Sequence, residues 1–595
     1  MLQHRATRLK IRRKFRRSKR QIEAFGVQTE AGIEKHLFKR ITKFNSVRRF
    51  ILSWMLLGIL ICGIATYQLI HVKMYYKISR PVAGDTYVEG MVGLFNNANP
   101  LFANNEVNAT VSKLVFSGLF SYDETGNLVG DLAEKWTISA NNSKEYTVTL
   151  KPNLVWHDGA ALTADDVVFT YKMLQNPDVR SPYFTSWAGI DVKATDAKTV
   201  VFTLPNIIAS FPYSLTNGVI PKHLLQNIAP EAMRSDLFNT ANPVGSGPFR
   251  WKSVDVIGSS VDNREQKITL IRNENYFKGA PKLDGFTLRT FTNEKTMNDS
   301  FLHGEINALV SPNDLIVDQD KDSDIEQRSL LLNGAVTIYL KNDQDILKDV
   351  LVRQALTQAT NQREIAASLS YPTRLVDAPL LQTMVGYNVS LSQLPFDVSA
   401  ANTTLDKAGW VRAENGIRVK DGKELTLVLY TLNTTELASV ATILSRQWQQ
   451  AGVSLVVKSI SQTDLEGVIE RREYDVLMYG VSLGKDPDVF AYWHSSQFAT
   501  TSPQRLNFSD YNSLAADIAL EAGRTRVAED IRAAKYKTFL QAWRNDAPAI
   551  MLYRPRLLYV TKGEVYNFDN VFINSSYDRL YGVENWMIKT ALVDK

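Results

Sequence analysis

Twenty consecutive residues, Ile51 to Ile70, are almost wholly apolar (ILSWMLLGILICGIATYQLI) and divide the chain into parts that cannot share one solvent. At 1.5 Å per residue a helix of that length covers about 30 Å, the thickness of a bilayer's hydrocarbon core. Trp54 and Tyr67 fall near its two ends, where aromatic rings favour the membrane interface. Residues 1–49 hold 16 Lys or Arg against 3 Glu, and include the run Arg12-Arg-Lys-Phe-Arg-Arg-Ser-Lys-Arg20. Positive flanks stay on the cytoplasmic side. The expected order is therefore a basic cytoplasmic tail (1–49), an uncleaved transmembrane signal-anchor (50–72) and an extracytoplasmic body. A cleaved signal peptide is the alternative, with an unusually long n-region. The tail's charge suits anionic lipid headgroups. The whole chain carries only +6, so the body is net acidic and no nucleic-acid partner is expected. Cys62 is the only cysteine, which excludes an intrachain disulfide and a cysteine metal cluster; it is expected to face lipid or to pack within the anchor.

In the body, the stretch Gly130–Leu174 has a definite local reading. Tyr146-Thr-Val-Thr-Leu150 alternates as a half-buried strand does, and Pro152-Asn153 ends it. Leu154-Val-Trp156 reads as a second short strand stopped by a turn at Asp158-Gly159. Thr163 can N-cap a helix with Asp165 and Asp166 in its first turn, and Val167, Val168, Tyr171 and Leu174 recur at helical spacing. Further on, Asp349 and Asn361 (with Glu364) are helix caps. Leu425–Leu429, Ser454–Val457 and Tyr474–Met478 read as strands separated by helices over Glu436–Ala451 and Asp464–Arg471. Strands alternating with helices predict right-handed crossovers and a mainly parallel sheet.

The same residues carry a resemblance. Leu132-Ala133 with Trp136, then Trp156-His157-Asp158-Gly159, then Leu162-Thr163-Ala164-Asp165-Asp166-Val167 resemble the signature of the peptide-type (family 5) extracytoplasmic solute-binding proteins that feed ABC importers. Phe95-Asn-Asn-Ala-Asn-Pro100, Asn242-Pro-Val-Gly-Ser-Gly-Pro248-Phe and Arg272-Asn-Glu-Asn-Tyr-Phe-Lys-Gly-Ala-Pro-Lys-Leu-Asp284 are similar to further family segments. Roughly residues 85 to 590 are covered. The glycines of 242–248 also raise a phosphate-binding loop, but no Lys-Ser/Thr follows them. The resemblance implies an α/β fold of two periplasmic-binding-protein-like lobes with an extra inserted domain, preceded by the one transmembrane helix. Lobe I takes residues 82–124, 240–335 and 558–595, the smaller inserted domain 125–239, and lobe II 336–557.

Open α/β sheets bind ligands beyond the carboxyl ends of their strands. The loop after Tyr474–Met478 runs Tyr479-Gly-Val-Ser-Leu-Gly-Lys-Asp-Pro-Asp488, and Ser482, Leu483, Gly484, Lys485, Asp486 and Asp488 are its candidate ligand contacts. The family's corresponding loop carries an Asp that pairs with a peptide's amino group, a strong charge-assisted bond. Here Val481 stands where many members have Trp, and Gly484-Lys485 where Asp-Tyr is usual. Asp486 or Asp488 then takes that part, or Asp486-Pro487 simply caps the next helix. Phe95 and Asn96, near a strand end of lobe I, are further candidates, as are Trp493 and Tyr553 for the cleft walls, although either is also a core residue by type. His494 reads as structural.

Gly480-Val-Ser482-Leu-Gly484 matches the Gly-x-Ser-x-Gly pattern of a hydrolase nucleophile elbow. Gly484 and Pro487 interrupt the helix such an elbow needs, and His494 is the only histidine after Ser482. Seven histidines in all form no His-Glu-x-x-His pattern, so neither catalytic residues nor a metal or other cofactor are expected. The expectation is a monomeric, membrane-anchored protein, not an enzyme, that captures peptides by lobe closure and delivers them to ABC permease subunits. A peptide-sensing receptor using the same clamp is the alternative. The family also includes nickel, haem and sugar binders.

Overall fold

The computed structural model describes residues 44–75, 77–258, 264–311, 315, 324–498, 505–568 and 573–594. The basic run Arg12–Arg20 lies outside the described residues. Two compact units result, one of residues 1–80 with 590–595 and one of residues 81–589. In the first, Phe44–Tyr75 forms one helix with no acid in its first turn. Its segment Phe50–Leu69 is long and apolar enough to cross a membrane, and none of it is buried by protein. A helix apolar on all sides has no face to turn toward water. Cys62 lies exposed on its surface.

The second unit is built on three principal sheets. A seven-stranded sheet runs, in spatial order, Ile325–Leu331, Arg556–Lys562, Ala308–Ser311, Thr86–Val92, Gly285–Phe291, Glu265–Arg272 and Phe249–Ile257. A five-stranded sheet runs Ser454–Ile460, Thr426–Leu432, Val476–Ser482, Gly334–Leu340 and Ala549–Tyr553. A four-stranded antiparallel sheet holds Ala133–Ile138, Glu145–Leu150, Thr199–Thr203 and Asp191–Asp196. We call their surroundings lobe I, lobe II and the inserted domain. The chain crosses between the first two sheets at residues 332–333 and again at 554–555, a few residues before the boundaries read from sequence.

Two local expectations are corrected. The lobe II sheet is mixed: Thr426–Leu432 pairs in parallel with both its neighbours, but Gly334–Leu340 runs antiparallel to both of its own. The reason is connectivity, since Gly334–Leu340 and Ala549–Tyr553 join the sheet at the crossings, whereas only the middle strands are linked by packed helices. Leu154–Trp156 is not a strand. It makes one bridge, Val155 to Ala161, because Asn153 (φ 57°) and the turn at Gly159 (φ 90°) leave no room for a ladder. The helix Ala164–Leu174 begins at Thr163 as expected, whose N–H donates to the Asp166 carboxylate at 2.8 Å.

Lobe I and the inserted domain share one continuous core, lobe I has a smaller second one around Phe291, Phe301 and Val560, and lobe II has two, one on each face of its sheet. Strand Gly334–Leu340 is buried along its whole length. Val336, Ile338 and Leu340 point into one core, Ala335 and Tyr339 into the other, the two-residue alternation of a strand covered on both faces.

Candidate functional site

A cavity of about 740 Å³ lies where the two crossings, the inserted domain and lobe I meet. Its floor is one face of helix Glu106–Val115 (Glu106, Ala109, Ser112, Lys113), which is capped by the Asn105 side chain on Asn108 N. The segment Asn574–Asp578 lines it together with Ser482, the last residue of strand Val476–Ser482, and with Leu332 and Leu557 from the crossing regions. A second chamber of about 760 Å³ adjoins it through shared Lys113, Phe116, Ser121, Tyr122 and Asp578.

The charges on these walls are mostly committed. Asp578 Oδ2 accepts the N–H groups of Asn574 (2.9 Å) and Ser575 (3.0 Å), and burial pushes its carboxyl above the usual range. Asp131 pairs with Lys278 at 2.5 Å. The Lys113 side chain lies between the chambers with no close ion pair among the described residues, and its charge acts on the buried Asp578.

Of the residues singled out in the sequence, only Ser482 lines the main chamber. Its Oγ donates to Asn574 O at 3.0 Å. Leu483 is buried and Gly484 turns the chain with φ 69°, a conformation that suits glycine; both donate their N–H to Asn333 O. Lys485 reaches Thr125 O of the inserted side at 3.3 Å. Asp486 accepts both Nη groups of Arg532, at 2.9 and 2.6 Å, and the N–H of Asp488 at 2.9 Å. Burial opposes the Arg532 cation, but Asp486 outweighs it and holds the guanidinium above its ordinary pKa. Asp488 Oδ2 accepts from Ser210 (2.8 Å) and Arg524 (3.2 Å). Both carboxylates expected to receive a ligand's amino group are thus occupied by arginines.

Four other expectations are corrected. Phe95 is buried against Trp251, with its N–H on Gln266 Oε1. Asn96 is exposed and bonded to Asn108 at 2.7 Å, and neither residue lines a chamber. Trp493 packs edge-on against Trp543 in one lobe II core. Tyr553 lies in the other and donates to Glu436 at 2.7 Å. Large aromatic surface is better buried against aliphatic neighbours than left at a solvent-filled cleft. The wall residues Lys113, Tyr122, Tyr183 and Asn574–Asp578 were missed. Their one legible signal is Ser575-Ser-Tyr-Asp578, a capping-box pattern that the structure forms.

Ser482 is at a strand end followed by a loop, not a strand-to-helix elbow. The His494 ring bonds Ser496 Oγ (2.8 Å) and Glu521 (3.3 Å) and is structural. The signature segments meet elsewhere: the backbone N–H of Gly245 donates to His157 Nδ1 at 3.2 Å, and His157 Nε2 lies 3.0 Å from Gly247 O. Residues 242–248 are thereby docked on the Trp156–Gly159 turn, and their glycines pass close to the main chain of Leu114 and Val115, which accounts for them without a phosphate.

Two sheet-bearing lobes joined by paired crossings, with a polar cavity at the seam, define a binding protein of the periplasmic type. The pattern of bacterial extracellular solute-binding proteins, family 5 Middle, matches residues 127–541, and the chain belongs to that family. Oligopeptide-binding protein AppA of Bacillus subtilis (strain 168) is 25% identical over 520 residues, 86% of this chain and 92% of the relative. Glutathione-binding protein GsiB of Pectobacterium atrosepticum is 26% identical over 491 residues, 80% and 89% of the two chains. Among solved structures, NikZ from Campylobacter jejuni in complex with Ni(L-His) superposes with TM-score 0.71 at 25% identity, covering 84% of this chain and 99% of that one. AppA from Bacillus subtilis with a nonapeptide gives TM-score 0.68 at 24% identity, covering 86% and 100%, a likeness of fold.

Proposed function

We infer that this chain is an extracytoplasmic peptide receptor of an ABC importer, held at the membrane by helix Phe44–Tyr75. The observation that carries this reading is the make-up of the main chamber. Its walls combine short side chains (Ala103, Ala109, Gly118, Ser121, Ser482) with the amides of Asn104 and Asn217 and the aromatic side chains of Tyr122, Tyr183 and Tyr577. Such walls match what all peptides share, a main chain of alternating donors and acceptors, and leave side chains loosely read. The volume of about 740 Å³ suits a short peptide, and the adjoining chamber extends the space for a longer one. Relatives described as oligopeptide- and glutathione-binding agree with it.

The amino terminus of the guest is not held by Asp486 or Asp488, because both are paired with arginines of lobe II. Lys113 instead offers a cation to a carbonyl or carboxylate. Closure follows from differential affinity: a ligand that touches both walls favours the arrangement in which the walls are close. The guest leaves chemically unchanged, and delivery requires docking on permease subunits.

The test is purification of the full chain in detergent, mass spectrometry of whatever accompanies it, and titration calorimetry with an oligopeptide library. Peptides recovered and heat released on mixing support the reading. Recovery of only nickel complexes, haem or sugars, with no response to any peptide, overturns it.

A further inference from the structure

The two crossings between the lobes are bonded to one another. Leu332 N donates to Pro555 O at 2.9 Å, and the Arg554 guanidinium donates to Leu331 O (3.1 Å) and Leu332 O (2.9 Å). Any rotation of one lobe against the other must change backbone angles at these few residues. Asn333, fully buried in the first crossing, has every polar group engaged. Its N–H donates to Ile573 O (2.7 Å), and its carbonyl accepts Leu483 N (2.8 Å) and Gly484 N (3.2 Å). Its Oδ1 accepts from Arg554 (2.8 Å), and its Nδ2 donates to Asn574 Oδ1 (2.9 Å).

Those partners belong to three different places. Leu483 and Gly484 follow Ser482, Arg554 is in the second crossing, and Asn574, like Ser482, lines the cavity. Ser482 Oγ closes the circuit on Asn574 O at 3.0 Å. Asn574 keeps one group unused: its Nδ2 is buried and has no hydrogen-bond partner among the described residues. Buried amide donors without partners are rare in folded proteins and ask for an acceptor.

We propose that Asn574 and Asn333 form a relay between the occupant of the cavity and the hinge: an acceptor oxygen of the ligand, a peptide carbonyl, takes the Asn574 Nδ2 donor, and the Asn574–Asn333 bond transmits its position to the crossings. Asn333 is a positioning residue that never touches ligand. The ligand half rests on the peptide reading above; the hinge half rests on the contacts alone.

The experiment uses the full chain in detergent, with Cys62→Ser to remove the native thiol and spin labels at Leu237→Cys in the inserted domain and Val411→Cys in lobe II, which are 73% and 68% exposed. Asn333→Asp keeps the oxygen that Arg554 holds, replaces the donor to Asn574 by an acceptor and adds a buried charge; Asn574→Ala breaks the same link without that charge, so an effect common to both is loss of the relay. Without ligand, Asn333→Asp and Asn574→Ala should each shift the distance distribution toward longer values, and the double variant should shift it no further, because both break one link. Unchanged distributions, or effects that add, overturn the hinge half. Pentaalanine is the ligand probe. Each single variant should release it about tenfold faster with little change in association rate, as expected when bound-state contacts alone are lost. Equal dissociation rates in wild type and Asn574→Ala overturn the ligand half. A wild type that ignores pentaalanine while the variants still open overturns the ligand half as stated for this probe and supports the hinge half.

Discussion

His157 is held in its neutral form by two backbone groups, with Nδ1 accepting from Gly245 N and Nε2–H facing Gly247 O. Burial lowers its pKa from 6.5 to about 4. Because the folded pKa is depressed, the unfolded chain binds the proton first, and stability falls as pH drops from about 6.5 towards about 4. Melting temperature followed over that window should decline by the equivalent of roughly 2–3 kcal/mol, and His157→Phe should flatten the slope. The Glu89–Arg579 pair is the other residue-scale commitment. Both side chains are wholly buried, and Glu89 also accepts from Tyr559 at 2.8 Å. Arg579→Met leaves a buried carboxylate without its partner and should cost about 3–5 kcal/mol; adding Glu89→Gln should recover part of that loss in denaturant unfolding. Neither pairing was legible beforehand, since 490 positions separate Glu89 from Arg579.

Among the elements, the local rules held where one segment contains both partners. The caps at Thr163, Asp349 and Asn361 all formed, each needing only residues within three positions. The glycines of residues 242–248 are different, because what they avoid is distant in sequence. A Cβ on Gly245 would stand 1.9 Å from Val115 O, and one on Gly247 2.7 Å from Leu114 O, at the end of helix Glu106–Val115. Gly245→Ala should therefore displace that helix end from the cavity floor. We expect a loss of about 2–4 kcal/mol in urea unfolding, the range of overpacked core sites; a variant as stable as wild type would refute the packing account. Strand directions were likewise beyond local reading: a helix between two strands implies a parallel crossover, but says nothing about the strands delivered by the hinge.

For the whole molecule, capture and anchoring make separate predictions. A peptide present at a hundred times its Kd should add about 2.7 kcal/mol to stability and raise the melting temperature, if it binds only the folded state. A peptide series that leaves melting unmoved counts against capture. Removing residues 1–76 should transfer the protein from the membrane to the aqueous fraction, because Phe50–Leu69 is the one segment among the described residues apolar enough to span; a truncated chain that still sediments with membranes would show another attachment.

The residues alone determined the family, the apolar helix and most local elements, because caps, turns and apolar periodicity act over a few positions. They put Ser482 in a loop after Met478, whereas the strand runs Val476–Ser482 and carries that residue to its last position, beside the cavity. Tertiary structure decided the rest of the site. Asp486 and Asp488 look available until Arg532 and Arg524 are brought against them, and Trp493 and Tyr553 look like cleft walls until two cores close over them. Whether a charge or an aromatic ring is free for a ligand depends on what packs beside it, and that is set by contacts between segments far apart in the chain.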